Sequence, residues 1–197
     1  MKSRGLRLNF WDLKSRAPGQ ITVYLYKPYK PYPELDPTYE DIGYVKTRSS
    51  YRYHDECLDA YEITGTSVHP TLQGLGIGAL MYDVAVEIAS MHDQPIMCDR
   101  TQVSADALRV WNYMMNNPNE YEVLQLDNAI DPFITPDDPE DDCVADSLRK
   151  HLDRTGNYTQ SQWLSSSITK AYKKKALSTI DLLKREGIFI SDEELGF

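Results

Sequence analysis

The sequence lacks the features that define several protein classes. No apolar run approaches the roughly 20 residues that span a bilayer, and the basic N-terminus carries no apolar stretch typical of a secretory signal. Three widely spaced cysteines (Cys57, Cys98 and Cys143) include no Cys-x-x-Cys, which argues against a disulfide framework and a zinc site. The four histidines show no ligand spacing. We therefore expect a cytoplasmic protein without a metal or a membrane partner.

Positive charge is also scarce. The 21 Lys and Arg residues face 30 Asp and Glu residues, so the formal net charge is -9. That balance argues against a general affinity for nucleic-acid phosphates. A basic strip at 173–175 is interpreted as a solvated face. The hydrophobic content of 41% is ordinary for a globular chain.

The first third of the chain carries strand patterns. Residues 6–11, 21–26, 42–47 and 60–68 are rich in β-branched and aromatic residues or alternate in polarity. Gly65, inside the last of these, predicts a bulge or a close backbone approach. Residues 27–40 contain four prolines among tyrosines and are predicted to form a loop. The loop either packs its aromatic rings on the core or serves as a binding arm.

From about residue 75 the apolar period becomes helical. A helix is predicted over 75–90, a short buried strand over 95–98, a second helix with Ser104 as its N-cap, and a strand over 121–126. Asp99 and Arg100 follow the short strand, where they either line a cleft or pair with each other. The order of strands and helices predicts an α/β core with a crossover connection.

The last third is predicted to be a helical extension. Residues 137–142 are acidic and are interpreted as a solvated linker, which divides the chain into a core over 1–136 and an extension over 137–197. In the extension, one apolar stripe predicts a long amphipathic helix that Gly187 ends. Such a stripe must be buried on the core, on a second copy or on a protein partner. Its members are Leu164, Ile168, Tyr172, Ala176, Ile180 and Leu183.

The segment 68–81 carries the most informative motif. A strand ends at Val68, Pro70 prevents further ladder pairing, and a glycine-rich turn opens the helix. Unpaired amides and the helix dipole at such a turn suit a diphosphate. The glycine spacing differs from the dinucleotide-binding G-x-G-x-x-G, and the Lys-Ser/Thr of a Walker loop is absent. A glycine turn without a ligand is the remaining alternative.

This segment resembles the acyl-CoA-binding motif of the GNAT superfamily of N-acetyltransferases, V-x-P-x-x-(Q/R)-x-x-G-x-(G/A)-x-x-L. Residues 104–111 resemble a second motif of that family, N-x-x-A-x-x-L-Y, with Ser104 for the Asn and Trp111 for the Tyr. The resemblance implies a mixed, partly splayed β-sheet flanked by helices. Compact bacteriophage-encoded members are a looser likeness. The matching positions of the first motif are Val68, Pro70, Gln73, Gly76, Gly78 and Met81, with Leu80 one residue early.

The resemblance also implies a reaction and a set of binding residues. An acetyl or similar acyl group would pass directly from acyl-CoA to an amine. Ser67 and Val68 would pair with the pantetheine arm and polarise the carbonyl. The pyrophosphate would be held by the amides of Gln73, Gly74, Leu75, Gly76, Ile77, Gly78 and Ala79.

Two catalytic residues are predicted on the same basis. Glu62, on the strand that leads to the motif, would remove the amine proton directly or through water, unless it is an ordinary strand acid; Asp59 is the alternative. Trp111 cannot protonate the leaving thiolate, so Tyr113 is the predicted proton donor, with Tyr82 as a second candidate. Tyr113 lies two residues after Trp111 and therefore projects from the helix roughly 200° away from it.

The acceptor side differs from the family pattern. Residues 10–21 leave no room for the helices that usually build the acceptor pocket. The site would then be open, or completed by the 27–40 loop, the extension or another subunit, which favours a macromolecular acceptor. The alternative function is a non-catalytic interaction protein or phage virion component, located in the virion instead of the host cytoplasm.

Overall fold

A computed structural model describes residues 7–12, 20–29, 38–49, 60–100, 102–126 and 159–191. The strands are β1 (Arg7–Asp12), β2 (Ile21–Tyr29), β3 (Thr38–Ser49), β4 (Tyr61–Val68), β5 (Ile96–Met97), β6 (Tyr121–Gln125), β7 (Lys170–Lys174) and β8 (Phe189–Ser191). The α-helices are α1 (Ile77–Met91), α2 (Ala105–Met115), α3 (Gln160–Ser165) and α4 (Thr179–Arg185).

The described strands form one mixed sheet in the order β6-β7-β5-β4-β3-β2-β1-β8. Strands β1 to β4 are antiparallel neighbours, β4 and β5 are parallel, and β7 runs antiparallel to both β5 and β6. Helix α1 connects the two parallel strands in the chain. The predicted mixed α/β fold, a sheet flanked by helices, is confirmed.

Helix α1 forms the centre of the core because its sequence is apolar around most of its circumference. Met81, Val84 and Ala85 are fully buried, and the helix packs across β2, β3, β4 and β7. From α2, Trp111 inserts between two other rings, with centroids 5.5 Å from both Tyr82 and Tyr172. The core therefore ties α1, α2 and β7 together.

Helix α2 begins where the sequence predicts. The Ser104 hydroxyl accepts a hydrogen bond from the Ala107 amide at 3.1 Å, which satisfies one of the unpaired donors of the first turn. Trp111 and Met114, one turn apart, are the residues that α2 buries.

No helix among the described residues is long and apolar enough to cross a bilayer.

The predicted loop over 27–40 is wrong at both ends. Residues 27–29 continue β2 and pair with 38–40 of β3. Pro28 is tolerated because β1, as far as it is described, reaches only Tyr26, so β2 has one neighbour at this point. The middle of the predicted loop, 30–37, lies outside the described residues.

The predicted C-terminal helix is wrong. Helix α3 ends at Ser165, and Lys170–Lys174 form β7, which lies between β5 and β6. Strand β7 has neighbours on both edges, and its consecutive residues Ala171 and Tyr172, which point to opposite faces of the sheet, are both fully buried. The free energy gained by burying these side chains outweighs the local preference for a helix that the spacing of the stripe indicates. The acidic linker over 137–142 lies outside the described residues, as does the predicted domain boundary.

Candidate functional site

Strands β4 and β5 diverge after two paired positions, and we call this divergence the fork. The two strands pair at Tyr61↔Ile96 and Glu62↔Met97. From Ile63 to Val68, β4 pairs with β3 on one edge and with no described strand on the other. The register with β3 shifts at Thr64, a bulge beside the predicted position Gly65. The fork leaves a backbone edge open toward α2.

Glu62 lies at the base of the fork. Its carboxylate is fully buried, and Oε2 accepts hydrogen bonds from Nε and Nη2 of Arg48, both at 2.9 Å. Oε1 accepts from the Arg100 amide at 2.8 Å. Because this amide is bonded to a side chain, the segment after β5 does not extend the ladder with β4. Glu62 is not among the residues that line the two cavities of the cleft, and its role as a base stays a prediction.

The smaller cavity of the cleft, which we call the inner chamber, lies beside the fork. It has a volume of about 370 Å³. Its walls come from β3, β4, α1, α2 and the segment that follows β5. The lining residues are Tyr44, Ile63, Thr64, Gly65, Thr66, Tyr82, Asp99, Gln102, Val103, Ser104, Ala107 and Trp111.

The second cavity, the outer channel, continues from the inner chamber to the N-terminus of α1. Its volume is about 660 Å³. Both cavities share Tyr44, Thr66, Tyr82, Ser104 and Ala107, and we call this shared region the junction. The other lining residues of the outer channel are Val45, Ser67, Val68, Gln73, Gly74, Gly76, Gly78, Ala79, Asp106, Arg109, Val110 and Tyr113.

The glycine loop closes one end of the outer channel. Gly74 and Gly76 have φ angles of 76° and 78°, in the left-handed region that favours glycine. Gly76 is the N-cap of α1 and offers no side chain to the amides of the first turn. The side-chain Nε2 of Gln73 donates a hydrogen bond to the Val68 carbonyl at 3.0 Å, which holds the loop against the end of β4. Uncapped amides at a helix N-terminus suit an anion.

Most residues that the sequence predicts for acyl-CoA binding meet in the outer channel. Seven of the nine line it: Ser67, Val68, Gln73, Gly74, Gly76, Gly78 and Ala79. The exceptions are Leu75, which is 56% exposed, and Ile77, which is buried in the core. The binding roles of all nine residues stay predictions.

The aromatic candidates occupy different places. Tyr113 is half exposed in the outer channel, with its ring 6.3 Å from that of Tyr121. Tyr82 lies at the junction, where its hydroxyl forms a hydrogen bond with the Thr66 side chain. Burial raises the pKa of Tyr82, the bond to Thr66 opposes that rise, and the charges of Cys98 and Asp99 add to it. Tyr82 therefore remains a neutral hydrogen-bond donor at physiological pH.

From the sequence, it stayed open whether Asp99 lines the cleft or pairs with Arg100, and Tyr44 and Arg109 were not identified as site residues. Asp99 lines the inner chamber, and its Oδ1 accepts from the Gln102 amide at 3.1 Å. Arg109 lines the outer channel and forms an ion pair with Asp106 one turn earlier. No sequence signal marks Arg109, because only the tertiary structure places this part of α2 on the same channel as the glycine loop. The predicted alternative base Asp59 lies outside the described residues.

Metal ligands do not gather in the part of the chain that the structure describes: it contains no group of three or more His, Cys, Asp or Glu side chains able to hold an ion. Cys98 is buried, and burial raises the pKa of its thiol to about 11. A protonated, enclosed thiol is a poor nucleophile and a poor ligand. The chemistry available in the cleft is that of hydroxyls, backbone amides, the Asp99 and Asp106 carboxylates and the Arg109 guanidinium.

No protein-family model and no curated protein matches the chain. Solved structures similar to it include a nourseothricin acetyltransferase, with 20% identity, a TM-score of 0.35 and coverage of 60% of this chain and 59% of that one. Another is Chaetomium thermophilum Naa20 in complex with a bisubstrate analogue, with 17% identity, a TM-score of 0.35 and coverage of 87% and 77%. The chain thus spans about three fifths of the first protein.

Proposed function

We propose that the chain binds an acyl-CoA in the cleft and transfers the acyl group to an amine. One observation carries the proposal: the uncapped N-terminus of α1 and the open edge of β4 border the same channel. A diphosphate suits the uncapped helix N-terminus, and a chain containing amide groups suits the open strand edge. The phosphopantetheine arm of CoA joins these two chemistries in one molecule. Acetyl-CoA would act as a co-substrate.

The outer channel supplies the anchoring contacts in this proposal. The amides between Gln73 and Ala79 would receive the diphosphate, and Gly78 leaves room for it because it has no side chain. Arg109, the single basic residue among the described lining of both cavities, would add a charge-assisted contact to a phosphate. The pantetheine amides would pair with β4 near Ser67 and Val68, as an added strand does at a sheet edge.

The junction would hold the thioester. There the acceptor nitrogen would attack the carbonyl carbon, a C–N bond would form, and the C–S bond would break with its electron pair leaving on sulfur. A backbone amide of the open β4 edge would polarise the carbonyl oxygen. The neutral Tyr82 hydroxyl would donate a hydrogen bond to the departing sulfur, which takes up the proton released by the amine. Tyr113, further out in the channel, is the second candidate for that donor.

One observation favours the alternative of a non-catalytic scaffold. Trp111 occupies the position at which the resembling motif has Tyr, and its ring belongs to the core. Indole cannot protonate a thiolate. This alternative includes a phage virion component. The cleft would then either bind a ligand without turnover or have lost both binding and turnover.

Calorimetric titration with acetyl-CoA tests the binding step. Gly78→Leu places a side chain in the channel without backbone strain, because Gly78 does not have a positive φ. We expect it to weaken binding at least tenfold. Ala105→Leu, an exposed position in the first turn of α2 that lines neither cavity, is the matched control and should bind normally.

Release of free CoA thiol, followed with a disulfide reagent in the presence of primary amines, tests the transfer step. Binding with amine-dependent thiol release supports the full proposal. Binding without release for any amine supports the scaffold. Absence of acetyl-CoA binding to the unmodified protein contradicts both the enzyme and the ligand-binding scaffold.

A further inference from the structure

We propose that the outer end of α2 is a subsite for the nucleotide of the acyl donor, where the Tyr113 ring stacks on adenine and Arg109 binds the 3′-phosphate. This inference rests on the proposed function, because it identifies the part of the donor by which the chain would distinguish CoA from other phosphopantetheine thioesters. It gives Tyr113 a binding role in place of the proton-donor role that the sequence suggested.

Helix α2 runs outward along the cleft from the junction. Ala107, in its first turn, belongs to the junction, whereas Arg109 and Tyr113 line the outer channel alone. At about 1.5 Å per residue, Tyr113 lies roughly 9 Å further along the helix axis than Ala107. With the thioester at the junction and the diphosphate at the glycine loop, the groups beyond the diphosphate would lie at this outer end. In CoA those groups are the ribose, its 3′-phosphate and adenine.

Arg109 and Tyr113 provide two different chemistries side by side. They are four residues apart on α2, so their side chains are neighbours on the helix surface. Arg109 is the single basic residue among the described lining of both cavities, and a guanidinium can bind a phosphate through two parallel hydrogen bonds. Tyr113 supplies an aromatic ring, on which a base can stack because every base has a π-face. An adenine ring on a phosphorylated ribose meets both chemistries in one ligand.

The existing partner of Arg109 is one that a phosphate can replace. Arg109 forms an ion pair with Asp106, and the two side chains are 74% and 80% exposed. Exposed ion pairs contribute little to stability, so exchanging the Asp106 carboxylate for a doubly charged phosphate costs little. The same exposure predicts that the phosphate contact weakens as salt is added.

The Tyr113 ring is both accessible and supported from behind. Its side chain is 50% exposed, and Tyr121, the one described ring in contact with it, meets it at an interplanar angle of 78°. In such an edge-to-face contact Tyr121 covers at most one face of the Tyr113 ring. Tyr121 is buried, and its hydroxyl donates a hydrogen bond to Asp83 of α1. The Tyr113 hydroxyl donates to the Glu120 side chain, so its proton is directed to that carboxylate.

Calorimetric titration of the full chain with two donors tests the phosphate contact without any variant. The donors are acetyl-CoA and acetyl-dephospho-CoA, which lacks only the 3′-phosphate. We expect acetyl-CoA to bind at least fivefold more tightly at low salt. A protein with a net charge of -9 would otherwise repel the additional negative charge, so this preference requires a specific cation. Equal affinities, or a preference for acetyl-dephospho-CoA, overturn the phosphate contact.

Variants of Arg109 locate that contact. Arg109→Gln should lower acetyl-CoA affinity at least fivefold and bring it within about twofold of the affinity for acetyl-dephospho-CoA. Arg185→Gln is the matched control, because Arg185 is an exposed arginine of α4 that lines neither cavity. It should retain the preference for the 3′-phosphate. An undiminished preference in Arg109→Gln overturns the assignment to Arg109.

Variants of Tyr113 test the stacking contact. Tyr113→Ser should weaken both CoA donors at least fivefold, while the affinity for acetyl-4′-phosphopantetheine, which has no nucleotide, stays within about twofold. Tyr113→Phe keeps the ring and should restore most of the affinity for acetyl-CoA. Normal acetyl-CoA binding by the serine variant, or equal losses in the serine and phenylalanine variants, overturns the stacking role.

Failure of this inference is distinguishable from failure of the proposed function. Adenosine 3′,5′-bisphosphate, compared with adenosine 5′-monophosphate, probes the nucleotide subsite without a thioester. Preferential binding of the bisphosphate to a protein that does not bind acetyl-CoA removes the acyltransferase and leaves the subsite. Acetyl-CoA binding that is indifferent to the 3′-phosphate and to Tyr113 removes the inference and leaves the proposed function. Binding of neither ligand removes both.

Discussion

Substitution of Glu62 by glutamine tests whether this residue holds the fork together. Glu62 and Arg48 are cross-strand partners on β4 and β3, and the carboxylate is fully buried. Glutamine keeps the shape and can still accept from the Arg100 amide. It removes the negative charge that receives both Arg48 hydrogen bonds. The structure therefore predicts a loss of stability that is independent of any catalytic role.

The size of that loss follows from the exposure of the two partners. Breaking a fully buried ion pair costs about 3–5 kcal/mol, because the remaining charge is left without water or a partner. Here the Arg48 side chain is 28% exposed, so water solvates part of the guanidinium once the carboxylate is gone. We expect the free energy of unfolding to fall by about 2–3 kcal/mol after this discount.

Urea unfolding of a double-mutant cycle measures this interaction directly. The cycle combines Glu62→Gln with Arg48→Met, which keeps the apolar stem of the arginine. We expect a coupling energy of about 1.5–2.5 kcal/mol between them. Glu186→Gln, an exposed acid after α4, is the control and should change stability by less than about 0.5 kcal/mol. A coupling energy below about 0.5 kcal/mol would refute the role of the ion pair at the fork.

Two further predictions concern the core. Tyr172→Ala, at the centre of β7, should reduce the free energy of unfolding by about 3–5 kcal/mol in urea. Leu182→Ala, on the exposed side of α4, should cost less than about 1 kcal/mol, and equal losses would argue against the central position of β7. Cys98 should resist iodoacetamide at pH 8, since with a pKa of about 11 roughly one thiol in a thousand is ionised there. Site-specific mass spectrometry should find it alkylated only after unfolding in urea or as the pH approaches 11; rapid labelling of the native protein would contradict its burial.

Local patterns in the sequence predict the elements that surround the glycine loop. Val68, Pro70 and the glycines at 74 and 76 mark the end of a strand, a turn and the start of a helix, and each lies where the pattern predicts. Ser104 likewise marks the start of α2. These signals succeed because they depend on neighbouring residues: a proline removes a donor, a glycine accepts a positive φ, and a serine caps a helix.

The C-terminal segment shows what local patterns do not decide. The spacing from Leu164 to Leu183 is helical, yet Tyr172 lies in β7 because a gap between β5 and β6 requires a strand that is buried on both faces. Propensity differs by less than about 1 kcal/mol per residue, whereas burying a large side chain contributes about 1.5–3 kcal/mol. Tertiary contact therefore outweighs local preference.

The sequence by itself determined the glycine turn at 73–79 and the uncapped start of α1, because both depend on backbone conformation and on residues adjacent in the chain. Only the tertiary structure decided which side chains face the cleft. Register across the β3–β4 bulge places Glu62 against Arg48 and away from the lining of the cleft. The divergence of β4 from β5 brings Asp99 and Tyr82 to the same cavity. Those relations join residues distant in sequence, and long-range strand pairing, which no local pattern encodes, fixes them.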